Sequence, residues 1–184
     1  MPSSIQTTRL ELLPVTPDHV QGIFALESDE RVVRYFGKAP MSTLDEAEKW
    51  IEQRQQALAT GSGISWSIFE KEHNKIIGTC AFFARNQAFR SAVCGYELSP
   101  DYWGKGLMHE AMEGMLGYGF ESLLFNRVVA GTATENLRSA TMLERLGFQR
   151  EGVLRQHWFW NNAFHDAYSY ALLAQDWHAR GAHV

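Results

Sequence analysis

Residues 9–13 alternate apolar and polar side chains, the period of two expected of a half-buried strand. Behind them Thr16-Pro17-Asp18 supplies an N-cap with proline at the first helical position, which predicts a helix reaching Glu27. A second helix begins near Thr43, where Thr43 and Glu46 stand at capping-box spacing and Leu44, Ala47, Trp50, Ile51 and Leu58 recur on one face. Gly61-Ser62-Gly63 interrupts that pattern. Three apolar segments follow, residues 64–69, 76–83 and 92–98, and the short polar turns between them predict an antiparallel meander. Next come a helix over 107–122, a strand over 127–131, a helix over 136–146 closed by Gly147, and strands over 148–155 and 167–173. The run Trp158-Phe159-Trp160 leads into Asn161-Asn162, a hairpin-turn signal, and the tail after Trp177 is expected to fray. This order predicts an α+β fold with one mixed sheet, and a chain of 184 residues suits a single domain over 1–184.

Composition narrows the function classes. No run of 18 apolar residues exists and the first residues lack a charged or apolar leader, so the expectation is a cytoplasmic protein without a membrane partner. A formal charge of −4 argues against a general nucleic-acid surface, although Lys105, Arg138 and Arg145 leave room for a local basic funnel. Cys80 and Cys94 sit in apolar strand segments and read as core thiols. His109-Glu110 invites a zinc reading, but position 113 is Glu113, and His157, His165 and His178 lack ligand spacing; no metal is expected.

The segment Gly95-Tyr96-Glu97-Leu98-Ser99-Pro100-Asp101-Tyr102-Trp103-Gly104-Lys105-Gly106-Leu107-Met108 runs from a strand through a glycine-bearing turn into an amphipathic helix. Gly104 and Gly106 open backbone dihedrals closed to bulkier residues, so successive N–H groups can converge on an anion at a helix N-terminus. The dinucleotide fingerprint is absent. Lys105 is followed by Gly106 rather than Ser or Thr, which removes the magnesium-holding hydroxyl of a P-loop. A diphosphate-bearing cofactor other than these remains.

The chain resembles the GNAT superfamily of N-acetyltransferases, and within it the ribosomal-protein-alanine acetyltransferases, along nearly its whole length. The family's Gln/Arg-x-x-Gly-x-Gly/Ala loop falls on Trp103, Gly104, Lys105, Gly106, Leu107 and Met108, with Trp103 and Met108 departing from the usual residues. The likeness continues through Thr134-Glu135-Asn136-Leu137-Arg138-Ser139, Leu143-Glu144-Arg145-Leu146-Gly147-Phe148 and Glu151-Gly152-Val153-Leu154-Arg155. It ends in Phe164-His165-Asp166-Ala167-Tyr168 and Leu172-Leu173. The resemblance implies a mostly antiparallel sheet splayed in the middle and flanked by helices, with acetyl-CoA as cosubstrate. It implies that backbone groups of Tyr96 to Ser99, Leu98 included, bind the pantetheine arm, that Asn136 binds it by its side chain, and that Ser139 lies near the thioester sulfur. Many members carry an acid tyrosine where this chain has Leu143.

Acetyl transfer to an amine needs a neutral nucleophile and help for the departing thiolate. An α-amine, with pKa about 7.7–8.0, is substantially neutral near pH 7.5, whereas lysine at about 10.4 is scarcely so. The nearest candidate base is Glu97, with a water chain as the alternative; strand alternation leaves open which way its side chain turns. Ser139 is a candidate acid or thiolate stabiliser, or else a capping residue, and Asn136 is equally an ordinary helix cap. Trp158-Phe159-Trp160 reads as hairpin packing or as an acceptor wall with Tyr35, Phe36 and Trp66. The leading acceptor is the α-amine of a protein such as a ribosomal protein; a small amine such as a polyamine, amino acid or antibiotic is the alternative, and a non-catalytic acyl-CoA module a third. Monomer and homodimer stay open.

Overall fold

The computed structural model describes residues 3–181, and within them one eight-stranded sheet carries six helices. The strands are β1 (Ile5–Gln6), β2 (Leu10–Pro14), β3 (Ile64–Glu70), β4 (Lys75–Asn86), β5 (Ser91–Leu98), β6 (Arg127–Ala133), β7 (Gln149–Trp160) and β8 (Ala163–Leu173). The helices are α1 (Val20–Glu27), α2 (Glu30–Val33), α3 (Leu44–Thr60), α4 (Leu107–Gly117), α5 (Leu137–Arg145) and α6 (Ala174–Gly181). Strand order is β1-β2-β3-β4-β5-β6-β8-β7, antiparallel at every pairing except β5 with β6. The α+β reading and the meander β3-β4-β5 both hold. Among the described residues no helix is long and apolar enough to cross a membrane.

The parallel pair is where the sheet opens. β5 and β6 pair only from Ser91 with Arg127 to Cys94 with Ala130. Beyond that point β5 stays with β4, Gly95 opposite Ala81 and Leu98 opposite Gly78, while β6 stays with β8 down to Ala133 opposite Ala167. Two half-sheets diverge from Cys94 and Ala130, so the splay expected from the resemblance is present. Gly78 lets β4 and β5 approach closely here: a Cβ at this position would lie 2.3 Å from the Glu97 carbonyl oxygen.

Side-chain alternation assigns the faces. Trp66, Cys80 and Tyr96 lie opposite one another on successive strands and point into the main core, where Met112, Met115 and Leu116 of α4 and Leu143 of α5 are buried. Ser67, Thr79 and Glu97 form the next row, and therefore face the other side of the sheet, where Ile23 of α1 packs with Ala47 and Ile51 of α3. Cys80 and Cys94 are buried free thiols, as their setting implied.

Several elements differ from the sequence pattern. β1 was not expected, being only two residues long, nor was α2, whose single turn is capped by Asp29 accepting from the Arg31 N–H. The helix predicted from residue 16 starts as a 3₁₀ turn, Pro17–His19, and becomes α-helical at Val20. The helix predicted to residue 122 ends at Gly117 and continues as a π turn over Tyr118–Ser122. β7 and β8 extend through the aromatic run to the Asn161-Asn162 turn, both asparagines taking positive φ. The tail does not fray at Trp177: α6 holds Trp177 stacked on Phe120 at 5.6 Å, and Arg180 donates to the Leu146 carbonyl at 2.6 Å. A single aromatic in an otherwise polar segment carries little periodicity, so that packing has no local signal; residues 182–184 lie outside the described residues.

Candidate active site

The turn between β5 and α4 is built by two glycines. Gly104 has φ +75° and Gly106, the N-cap of α4, has φ +74°, in the left-handed region that costs other residues roughly 1–2 kcal/mol. No neighbouring atom would come within 4 Å of a Cβ at Gly104, and at Gly106 the nearest is an Arg9 guanidinium nitrogen at 3.7 Å. The concave face is open to an outside molecule rather than packed by the protein. The first helical bond of α4 runs from the Glu110 N–H to the Gly106 carbonyl, so the N–H groups of Leu107, Met108 and His109 have no partner within the helix. The side chains of Leu107 and Met108 are buried in the core, which leaves their N–H groups as what they present.

Arg9 and Glu110 brace this helix end. The Glu110 carboxylate accepts from the Thr7 hydroxyl at 2.6 Å and from the Arg9 backbone and guanidinium at 2.7 Å each. The guanidinium also donates to the Lys105 carbonyl at 3.0 Å. Glu110 is thus a tether whose charge is offset before it can repel an anion. The Trp103 indole donates to the Leu98 carbonyl at 2.8 Å, and the Arg138 guanidinium lies over its ring at 4.8 Å. This puts Arg138 beside the cradle with Lys105. Arg145, the third residue of the expected funnel, stands at the far end of α5, about 10 Å along the axis.

At the opening between the half-sheets, the Ser99 N–H donates across to Ile77, so strand alternation turns the N–H and C=O groups of Tyr96 and Leu98 toward β6. Trp103 already occupies the Leu98 carbonyl; the Leu98 N–H and both Tyr96 groups remain. Asn136 caps α5, its side-chain oxygen accepting from the Ser139 N–H at 3.3 Å, which leaves its amide NH₂ available. The Ser139 hydroxyl bonds the Tyr96 phenol at 2.7 Å across the opening, and burial pushes that phenol well above its usual range. Sequence reasoning counted Tyr96 for its backbone alone. The expected acid-tyrosine position, Leu143, is fully buried core.

Glu97 points to the opposite face, into a cluster that sequence reasoning missed. Its carboxyl lies 3.6 Å from the Lys38 ammonium, which donates to the Glu27 carboxylate at 2.7 Å. Burial first, then the negative charge of the neighbouring Glu27, push Glu97 up to about 8, against the pull of Lys38 and Arg54. A signal for Glu27 did exist: it stands four residues after Ile23 on the apolar stripe of α1, a charge where a core residue belongs.

The aromatic residues divide. Trp160 meets Tyr35 edge-on at 6.4 Å and stacks on His165 at 3.8 Å, so the β7–β8 hairpin and the loop after α2 form one wall near Glu97's face. Trp66 does not join them. It is fully buried in the main core against Phe82 and Tyr118, because its row of the sheet faces α4.

A family model described as acetyltransferase (GNAT) domain matches residues 9–149. The chain is 34% identical over 169 residues to the uncharacterized N-acetyltransferase YoaA of Bacillus subtilis, covering 92% of this chain and 96% of that one. It is 30% identical to the ribosomal protein uS5-alanine N-acetyltransferase of Escherichia coli over 64% of this chain and 61% of that protein. The crystal structure of spermidine N-acetyltransferase from Vibrio cholerae with CoA and spermine superposes with TM-score 0.84, covering 94% of this chain and 99% of that one at 22% identity.

Proposed function

The chain belongs to the GNAT acetyltransferases and is an acetyl-CoA-dependent N-acetyltransferase, and from that premise we propose that its acceptor is the α-amine of a protein N-terminus, such as that of a ribosomal protein. One observation carries the choice of acceptor: on Glu97's face the two carboxyls, Glu27 and Glu97, are met by two cations, Lys38 and Arg54. A polyamine site needs surplus carboxylate to receive several ammonium groups, and among the groups around Glu97 the carboxyls do not outnumber the cations. A single amine of pKa about 7.7–8.0 needs only one acceptor of similar proton affinity. The similarity to the uS5-alanine enzyme supports the same reading. The small-amine alternative is kept by the likeness to a spermidine enzyme. Residues 1–184 are taken as one acetyltransferase domain, and a ribosomal acceptor would put the reaction in the cytoplasm.

Acetyl-CoA, when bound, supplies an acyl thioester. In this reading the backbone N–H groups of Gly104, Lys105, Gly106, Leu107 and Met108 hold its pyrophosphate, the Trp103 N–H being taken by the Pro100 carbonyl at 3.1 Å, with Lys105 and Arg138 supplying positive field. Tyr96 and Leu98 offer strand-edge groups to the pantetheine arm, and the Asn136 amide donates to it. The cradle, Asn136 and Ser139 all belong to the α4–α5 face, so the acceptor is left the face of Glu97. There Glu97 takes the amine proton, and Ser139 directs its O–H at the leaving sulfur. A thiol of pKa near 8.5 departs as thiolate with little help, so this donor contributes modestly.

Two measurements test these assignments. With acetyl-CoA saturating, kcat/KM for Ala- or Ser-starting peptides is expected to exceed that for spermidine by at least about tenfold, the size of a modest difference in binding free energy; the reverse order transfers the assignment to small amines. Ser139→Ala should lower kcat about tenfold, one hydrogen bond's worth, while acetyl-CoA affinity stays within about twofold. Unchanged kcat returns Ser139 to a capping role.

A further inference from the structure

Glu27 is the last residue of α1, and its side chain is fully buried. One of its oxygens accepts from Lys38 at 2.7 Å; the other has no protein donor. Glu97, whose side chain is only 10% exposed, likewise keeps one oxygen without a donor. Both carboxyls are held by the same Lys38 ammonium, which places the two acidic groups side by side. Two buried carboxylates on one ammonium repel each other, so the pair takes up a proton more readily than either carboxyl would alone. The Lys38 ammonium decides where it resides. At 2.7 Å from Glu27 and 3.6 Å from Glu97, it leaves Glu97 the less compensated of the two and so the one that takes the proton. The charged groups facing Glu97 are Glu27 from α1, Lys38 from the loop ahead of α3 and Arg54 from α3; its neighbours on the sheet, Thr79 and Ser67, are hydroxyls.

We infer that Glu27 is a positioning residue for acetyl transfer, its buried carboxylate set beside Glu97 across Lys38 so that Glu97 binds the acceptor's proton as firmly as an amine requires. This rests on the reading of Glu97 as base. The physical case is that an isolated carboxylate of ordinary acidity is a poor partner for an amine, whereas a carboxyl beside a buried negative charge binds a proton much more firmly. A Glu at a core position of an amphipathic helix carries a desolvation cost, and anchoring a loop through Lys38 needs no contact with a second carboxyl. Glu97 acts in its ionised form: the amine proton moves to its oxygen and leaves it a neutral carboxyl, while the N–C bond forms, the C–S bond breaks and CoA departs as thiolate. Nothing beyond acetyl-CoA and the amine is consumed.

The experiment is a carbon-13 titration of the Glu97 side-chain carboxyl in the full chain, beside the pH dependence of kcat/KM. Glu27→Gln removes the like charge and should move the Glu97 midpoint down by at least about one pH unit. Lys38→Met removes the cation and should move it up. Opposite shifts are the signature, because a merely structural contact lowers stability in both variants and moves neither midpoint. Glu27→Asp, which withdraws the carboxyl while keeping its charge, should also lower the midpoint and serves if the glutamine variant does not fold. An unmoved midpoint in the Glu27 variants overturns the inference while leaving Glu97 as base. If instead Glu97→Gln leaves the rate profile unaltered, the base assignment has failed, whatever the titration shows.

Discussion

Gly106→Glu is expected to abolish useful binding of acetyl-CoA, lowering its affinity on the order of 100-fold or more. Three effects act together. The substituted residue must hold φ near +74°, at a cost of roughly 1–2 kcal/mol. Its carboxylate, placed at the N-cap of α4, accepts from the unpartnered N–H groups of the first turn and so competes for the donors the pyrophosphate needs. A fixed negative charge about 5 Å from the bound anion adds repulsion of about 3 kcal/mol at an effective dielectric of about 20. Isothermal titration calorimetry measures the loss directly, and Gly106→Ala separates the causes: it shares the backbone strain without the charge, and its Cβ meets only Arg9 at 3.7 Å. The alanine variant should bind within about tenfold of the parent. Acetyl-CoA binding to Gly106→Glu with unaltered affinity would mean that the cofactor's phosphates are held elsewhere.

Glu97→Gln is expected to lower kcat by about 100- to 1,000-fold at pH 8, within the usual range for losing a positioned base. Its effect on the pH profile is more diagnostic than its size. Two groups must be deprotonated for reaction, the acceptor amine and Glu97, whose proton affinity lies at about 8. Below about pH 7 the logarithm of kcat/KM should therefore rise with a slope approaching two. Glutamine removes one ionisation, so the slope falls to one. The sign follows from the raised value: Glu97 is mostly protonated at pH 7 and becomes competent as pH rises. A slope of two that survives the substitution excludes Glu97 and favours a water chain.

The parts of the site that were legible share one property: their signals are local. Gly104 and Gly106 mark a turn because only glycine takes φ near +75° without cost, and they do so whatever surrounds them. Asn136 ahead of the α5 pattern and Thr43 with Glu46 ahead of α3 announce helix starts for a similar reason, since a cap bonds backbone within three residues. The Glu97 side chain was harder. Strand alternation places it on the face opposite Tyr96, but which face meets α1 depends on how the sheet packs. Trp66 went astray on this point: aromatic character is visible in the chain, and burial against α4 is not.

The chain alone determined the order of elements, the glycine cradle, the α5 cap and the acetyltransferase family, because each rests on short-range backbone chemistry or on motifs of fixed spacing. Only the tertiary structure decided the opening of the sheet after Cys94 and Ala130, the hydroxyl pair of Tyr96 and Ser139, and the carboxyl pair of Glu27 and Glu97. These pairs join residues 43 and 70 positions apart, on elements that meet only when the helices pack on their faces of the sheet. Proton affinity is set by such neighbours and by exclusion of water, and neither is written in the residues next along the chain.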